Sequence, residues 1–143
     1  MVRWRPVSMV LMVVAVALLG ALGAASAVGA SHVRIPGCGG ADRAAYKPDT
    51  VIVACGDGNF VVVKLEWTKW TRKAAGGSGT GKLNNCMPNC AQGQFRSYKV
   101  KLIASKPVTC SNGKREFSRL AWYFRHKHKG IARKGSVSRP CSR

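Results

Sequence analysis

Acidic residues are the scarcest charged groups in this sequence. Five Asp and Glu stand against 24 Lys and Arg among 143 residues, so the formal charge at pH 7 is +19. With so few carboxylates, no motif supplies the paired acids of a general acid–base catalyst. No motif supplies an activated nucleophile either. We therefore expect a protein without catalytic residues, without a metal site and without a cofactor.

Helical periodicity and internal repeats are also missing from residues 28–143. Apolar and polar residues alternate instead, which predicts half-buried β-strands. The alternating segments are NFVVVKLEWTKW (59–70), FRSYKVKLIASK (95–106) and REFSRLAWYF (115–124). The predicted inward residues are Val61, Val63, Leu65 and Trp67 in the first segment, Tyr98, Val100 and Leu102 in the second, and Leu120, Trp122 and Phe124 in the third.

The amino terminus has the order of a secretory signal peptide. Arg3 and Arg5 precede an apolar run over residues 7–22, and the small residues GAASAVGA follow. Ala25 and Ala27 fit an A-x-A cleavage site, so we predict a cut after Ala27. An uncleaved membrane anchor is the alternative. Both interpretations place the rest of the chain outside the cytoplasm, as a secreted, extracellular or envelope-associated protein. If the signal peptide is removed, we expect no transmembrane span.

All six cysteines follow the predicted cleavage site, and an even number in a small exported domain predicts a disulfide framework. Six cysteines allow fifteen pairings, and the sequence alone does not choose among them. We adopt the pairing of sequence neighbours as the prediction. A redox centre and a zinc site are the alternatives at the C-M-P-N-C stretch, where three residues separate the cysteines. The predicted pairs are Cys38–Cys55, Cys86–Cys90 and Cys110–Cys141.

These observations predict a small all-β fold. It is an antiparallel sheet or sandwich, braced by disulfides and built from two hairpins. Residues 71–94, rich in Gly, Asn and Ser, are predicted to form a long glycine-rich surface loop between the hairpins. The predicted divisions are a signal peptide (1–27), an extended segment (28–49), a β domain (50–125) and a basic carboxy-terminal tail (126–143). We expect a monomer.

Two stretches imitate ligand sites. GGSGTGK (76–82) matches a phosphate-binding loop, but Leu83 follows where Ser or Thr must ligate magnesium, so we interpret it as flexible Gly-Ser loop. His126 and His128 have a spacing that a metal could use. The cations around them would repel a metal ion, so we interpret them as part of a solvated basic run.

The strongest functional signal is the positive charge. Without Arg3 and Arg5, 22 basic residues face five acidic ones, a formal charge of +17, and residues 125–143 contain seven basic residues and no acidic one. Such charge favours polyanions: phosphorylated wall polymers, anionic lipids, or nucleic acid without sequence-specific readout. A surface that merely keeps the protein soluble is the alternative. The predicted binding residues are Trp70 as a stacking platform, Arg125, Lys127, Lys129, Arg133 and Lys134.

Several segments resemble a family of small exported proteins of high-GC Gram-positive (actinobacterial) bacteria. These segments are VACGDGN, LEWTKW, GTGKLNNCMPNCAQGQFRSYKVKL and FSRLAWYF. The family pattern that they resemble runs C-A-D-G-N, W-x-x-W, C-x-P-x-C and Y-x-V. The resemblance covers residues 38–125 and implies a secreted β domain with no assigned activity. Gly56 and Lys99 depart from the pattern. Cys110, Cys141 and the basic tail look like additions, which favours the pairing of these two cysteines.

The function we expect is a non-enzymatic binding module for anionic envelope or extracellular polymers. Two alternatives stay open. SYKVKLIASK and GKREFSRLAWYF are loosely similar to strands of secreted inhibitors of subtilisin-like proteases, and that resemblance implies that Met87 and Pro88 lie in a presented loop. A small basic hydrolase such as a ribonuclease would pair a histidine with Glu66 or Glu116.

Overall fold

Six antiparallel strands form the sheet, and each is hydrogen-bonded to its neighbour in the sequence. The computed structural model describes residues 32–39 and 41–142, and the predicted signal peptide with its cleavage site lies outside them. The described residues are all-β, which confirms the predicted fold class, and they include no helix long and apolar enough to cross a membrane. The strands are β1 (Val51–Ile52), β2 (Phe60–Trp70), β3 (Ala74–Asn84), β4 (Phe95–Thr109), β5 (Arg115–Phe124) and β6 (Lys134–Ser138).

One face of this sheet is apolar and encloses the core. Along β4 and β5 the alternation follows the prediction, because Val100, Leu102, Leu120 and Phe124 are buried while Trp122 is half-buried. The segment before β1 contributes as well. The backbone around Arg34 pairs with β5 and buries its two apolar neighbours in the sequence. The buried apolar residues are Val33, Ile35, Val51, Val53, Phe60, Val62, Leu65, Ala75, Val100, Leu102, Ala104, Phe117, Leu120 and Phe124.

The prediction of a long glycine-rich loop is wrong for residues 74–84, which form β3 in the middle of the sheet. Alternate positions of β3 are glycine because they face closely packed neighbours. A Cβ added to Gly77 would lie 2.7 Å from the carbonyl oxygen of Glu66, and one added to Gly79 would lie 2.8 Å from that of Val63. Glycine in a strand often marks such a close approach. The loop itself comprises only residues 85–94.

The predicted inward face of β2 is also wrong over its first half. Phe60 and Val62 point into the core, whereas Val61 and Val63 are only half-buried. The register shift between Val63 and Glu66 explains this result, because a β-bulge inserts an extra residue and changes the face to which later side chains point. Lys64, between the last half-buried valine and buried Leu65, has a φ of 53°.

The three disulfides are Cys38–Cys55, Cys86–Cys90 and Cys110–Cys141, the same pairs of sequence neighbours as predicted above. The structure leaves no free cysteine among the residues it describes. Loop-entropy reasoning gives the first and last bonds about 3 to 4 kcal/mol each and the short Cys86–Cys90 ring about 2 kcal/mol. Three disulfides in a small domain are typical of an oxidising compartment.

Arg139 holds the two edges of the sheet together. It follows β6, yet its guanidinium donates hydrogen bonds to the carbonyl oxygens of Ile52 (2.9 Å) and Val53 (3.3 Å), at the end of β1, and of Pro36 (3.1 Å). The residue is 5% exposed. Burial lowers the pKa of this guanidinium, and the Asp42 carboxylate opposes the shift. The segment predicted as a basic tail thus includes a strand, a disulfide and this contact, which curl the sheet.

Candidate anion-binding groove

A groove of about 700 Å³ crosses the outward face of the sheet. Its floor follows the strand register. Ser78 of β3 lies opposite Lys101 of β4, which lies opposite Tyr123 of β5. These side chains point away from the core because the alternation of β4 buries the adjacent Leu102. The groove is lined by Lys64, Glu66, Ser78, Gly79, Thr80, Lys99, Val100, Lys101, Tyr123, Phe124, Arg125 and Arg133.

Five of the lining side chains are cationic and one, Glu66, is acidic. Lys99 and Lys101 are two residues apart on β4, which places them about 7 Å apart along the strand. Arg125 donates its backbone N–H to the carbonyl oxygen of Lys99 at 3.0 Å, so the two residues are neighbours across the strands. Like charges in such positions destabilise a sheet. A bound anion would relieve that repulsion, and this gives the cluster a physical reason to bind anions.

The structure brings part of the predicted binding set together. Arg125 and Arg133 line the groove. Lys134 lies opposite Tyr123 in the β5–β6 pairing, directly beside it. Lys127 and Lys129 are exposed in the segment between β5 and β6. We call that segment, residues 125–133, the basic turn.

Trp70 lies elsewhere. It pairs with Ala75 of β3, which pairs with Ala104 of β4. Ala104 is five residues from the groove residue Lys99, a distance of about 17 Å along the strand. Its indole N–H donates to the Val33 carbonyl oxygen at 3.1 Å, and its ring packs edge-on against other aromatic rings. Trp70 is half-buried and contributes to packing.

Four residues that line the groove were not among the predicted binding residues: Lys64, Lys99, Lys101 and Tyr123. The sequence pattern does indicate that the two β4 lysines share the outward face, because they alternate with the core residues. No sequence pattern indicates the position of Lys64, since that position depends on the bulge in β2. Tyr123 is 44% exposed and offers a flat face to a ligand.

The structure places both stretches that resemble ligand sites, residues 76–82 and the pair His126 and His128. GGSGTGK lies within β3, so it is a strand and not the flexible loop that we expected. His128 packs on Tyr98 with ring centroids 4.4 Å apart, whereas His126 is exposed. Among the described residues, one group of potential metal ligands lies close together, Cys110, Glu116 and Cys141. Its sulfurs are joined in a disulfide and are not available as thiolates.

The two glutamates differ in their surroundings. Glu116 is 1% exposed and accepts a hydrogen bond from the backbone N–H of Ser142 at 2.8 Å. Glu66 is exposed within the groove. No histidine lines the groove in the part of the chain that the structure describes. A glutamate–histidine pair is therefore not assembled there.

Two asparagine side chains organise the loop over residues 85–94 through hydrogen bonds to its backbone. The Asn84 side chain donates to the carbonyl oxygen of Cys90 at 2.8 Å and accepts from the backbone N–H of Cys86 at 3.0 Å. Asn85 accepts from two further backbone N–H groups. The loop presents Met87, which is 69% exposed.

Comparison with protein-family models, curated proteins and solved structures gave no match to this chain. The resemblance to exported actinobacterial proteins therefore stays a prediction.

Proposed function

We propose that this small disulfide-bonded β domain is a non-enzymatic binding module for anionic polymers of the cell envelope or the extracellular space. The observation that carries the proposal is the groove, in which five cations from two strands and the basic turn surround a single carboxylate. A positively charged cleft focuses its field and attracts polyanions. Protein localisation outside the cytoplasm belongs to the same proposal and is supported by the three disulfides.

The ligand that fits best is a linear polymer with a phosphate in each repeat. Lys99, Lys101 and Arg125 are surface neighbours, so one phosphate can meet two of them and the next phosphate can meet the third. Arg binds phosphate through two N–H groups and Lys acts as a point charge. The exposed ring of Tyr123 can lie against a sugar or polyol between the phosphates.

The test is a pull-down of the protein with isolated cell envelope at low and high salt. A groove variant, Lys99→Gln, Lys101→Gln and Arg125→Gln, removes three cations from the groove. A control variant, Arg72→Gln, Lys73→Gln and Lys114→Gln, removes three exposed cations that do not line it. We expect the groove variant alone to lose binding. Equal binding by both variants would reject the groove as the site.

A protease inhibitor is the second candidate, favoured by the exposure of Met87 on a braced loop. One observation opposes it. Cys86 has a φ of 51°, so the loop turns immediately before Met87, whereas recognition by strand addition requires an extended segment. Stoichiometric inhibition of a subtilisin-like protease, abolished by Met87→Asp, would establish this function in place of polymer binding. A hydrolase would show turnover of RNA that Glu66→Gln abolishes.

A further inference from the structure

A second, apolar cavity lies on the other face of β5. Its volume is about 240 Å³, and its walls are Phe60, Leu83, Trp122 and Phe124. The basic turn closes one side of it through residues 130–132. The walls are side chains of the inward face, whereas the groove lies on the outward face, and the two sites meet at Phe124, which lines both.

The walls and the cover are held in position by packing. Phe60 meets Trp122 edge-on with centroids 5.3 Å apart, and it lies 5.8 Å from the ring of Phe124. A Cβ added to Gly135 would overlap the Trp122 ring, so the glycine lets β6 lie flat against the indole. In the turn, the N–H of Ile131 donates to the carbonyl oxygen of His128 at 3.1 Å. The cavity is thus preformed, as small-molecule sites usually are.

The charge around the cavity selects its ligand. Lys129 and Arg133 directly flank the cavity-lining residues 130–132, and Lys127 comes two residues earlier. The basic turn contains no acidic residue. An apolar cavity beside cations fits a molecule with a hydrocarbon chain and an anionic head group. A sugar–phosphate polymer has nothing apolar with which to fill it.

We propose that the cavity binds the hydrocarbon chain of an anionic amphiphile, a lipid with a phosphate head group, and that Lys127 and Lys129 of the basic turn bind the phosphate. This inference does not rest on the groove. It assigns a second ligand class to the protein and places the head group at the edge of the sheet, where the chain can enter beneath the turn.

The first test is a series of alkyl phosphates from ethyl to dodecyl, each below its critical micelle concentration, titrated into the disulfide-bonded protein. Each buried methylene contributes about 0.8 kcal/mol, so the affinity should rise about fourfold per carbon and level off when the cavity is full. Equal affinity for ethyl and decyl phosphate would overturn the proposal.

The second test locates the chain. A decyl phosphate carrying bromine at its far end should quench the fluorescence of Trp122, which lines the cavity. Trp122→Phe should abolish this quenching while the emission of Trp67 and Trp70 remains. Quenching that persists in Trp122→Phe would place the chain elsewhere and overturn the proposal.

Two variants separate this site from the groove. Ala132→Phe fills the cavity from an exposed position, so the fold should tolerate it, and the dependence of affinity on chain length should disappear. The groove variant should keep that dependence. Binding of a phosphate polymer without any gain from an alkyl chain would overturn the amphiphile site and leave the proposed function intact.

Discussion

Replacement of Arg139 by Met should destabilise the protein more than any change of a surface arginine. The substitution removes the donors to three carbonyl oxygens, those of Pro36, Ile52 and Val53. A buried acceptor that loses its partner costs about 1 to 3 kcal/mol. Met recovers part of this because its burial requires no desolvation of a charge. We expect a net loss of about 3 kcal/mol.

Urea unfolding with the disulfides intact measures this loss. With a slope of about 2 kcal/mol per molar urea, the midpoint should fall by about 1.5 M. Arg119→Met is the matched control, because Arg119 is exposed and its guanidinium donates a hydrogen bond to the Ser136 hydroxyl at the surface. The control should change stability by less than about 0.5 kcal/mol. Equal midpoints for the two variants would refute the role of Arg139 in joining the sheet edges.

Three further predictions concern β3, the braced loop and the amino terminus. Gly79→Ala should lower the free energy of unfolding by about 2 kcal/mol through overpacking, as measured by urea unfolding. Gly76→Ala has open space around the added Cβ, so in the same assay it should be neutral or stabilising. Joint replacement of Cys86 and Cys90 by Ser should cost at most about 2 kcal/mol in urea unfolding, because the ring that they close is short; a global loss of folding would contradict this. Mass spectrometry of the exported protein should find Val28 at the amino terminus, and an intact leader on soluble protein in the medium would contradict signal cleavage.

The strands β4 and β5 were predictable over residues 98–104 and 120–124, because nothing interrupts the alternation there. Leu102 and Leu120 are fully buried on the predicted face, and Lys99 and Lys101 are exposed on the other. β3 was not predictable, since glycine favours loops in general. Its presence in a strand depends on how closely the neighbouring β2 backbone approaches Gly79. That distance exists only in the folded sheet.

The candidate site was predictable in its chemistry and not in its place. The charge of the chain predicts anion binding, and two of the predicted binding residues, Arg125 and Arg133, line the groove. The tail was expected to carry the cations alone, because Lys99 and Lys101 read as an ordinary solvated face. Their convergence with Arg125 depends on the register of β4 against β5, which the sequence does not specify.

The central claim is that the groove binds phosphate polymers, and the salt dependence of binding tests it most directly. The protein, the groove variant and the control variant would be titrated with a soluble linear polyphosphate at several salt concentrations. Each phosphate contact contributes about 0.7 to the slope of log affinity against log salt for a single-stranded polyanion. The groove variant should therefore lose about 2 from the slope, and the control variant much less. Equal slopes for the two variants, or no binding at low salt, would contradict the claim.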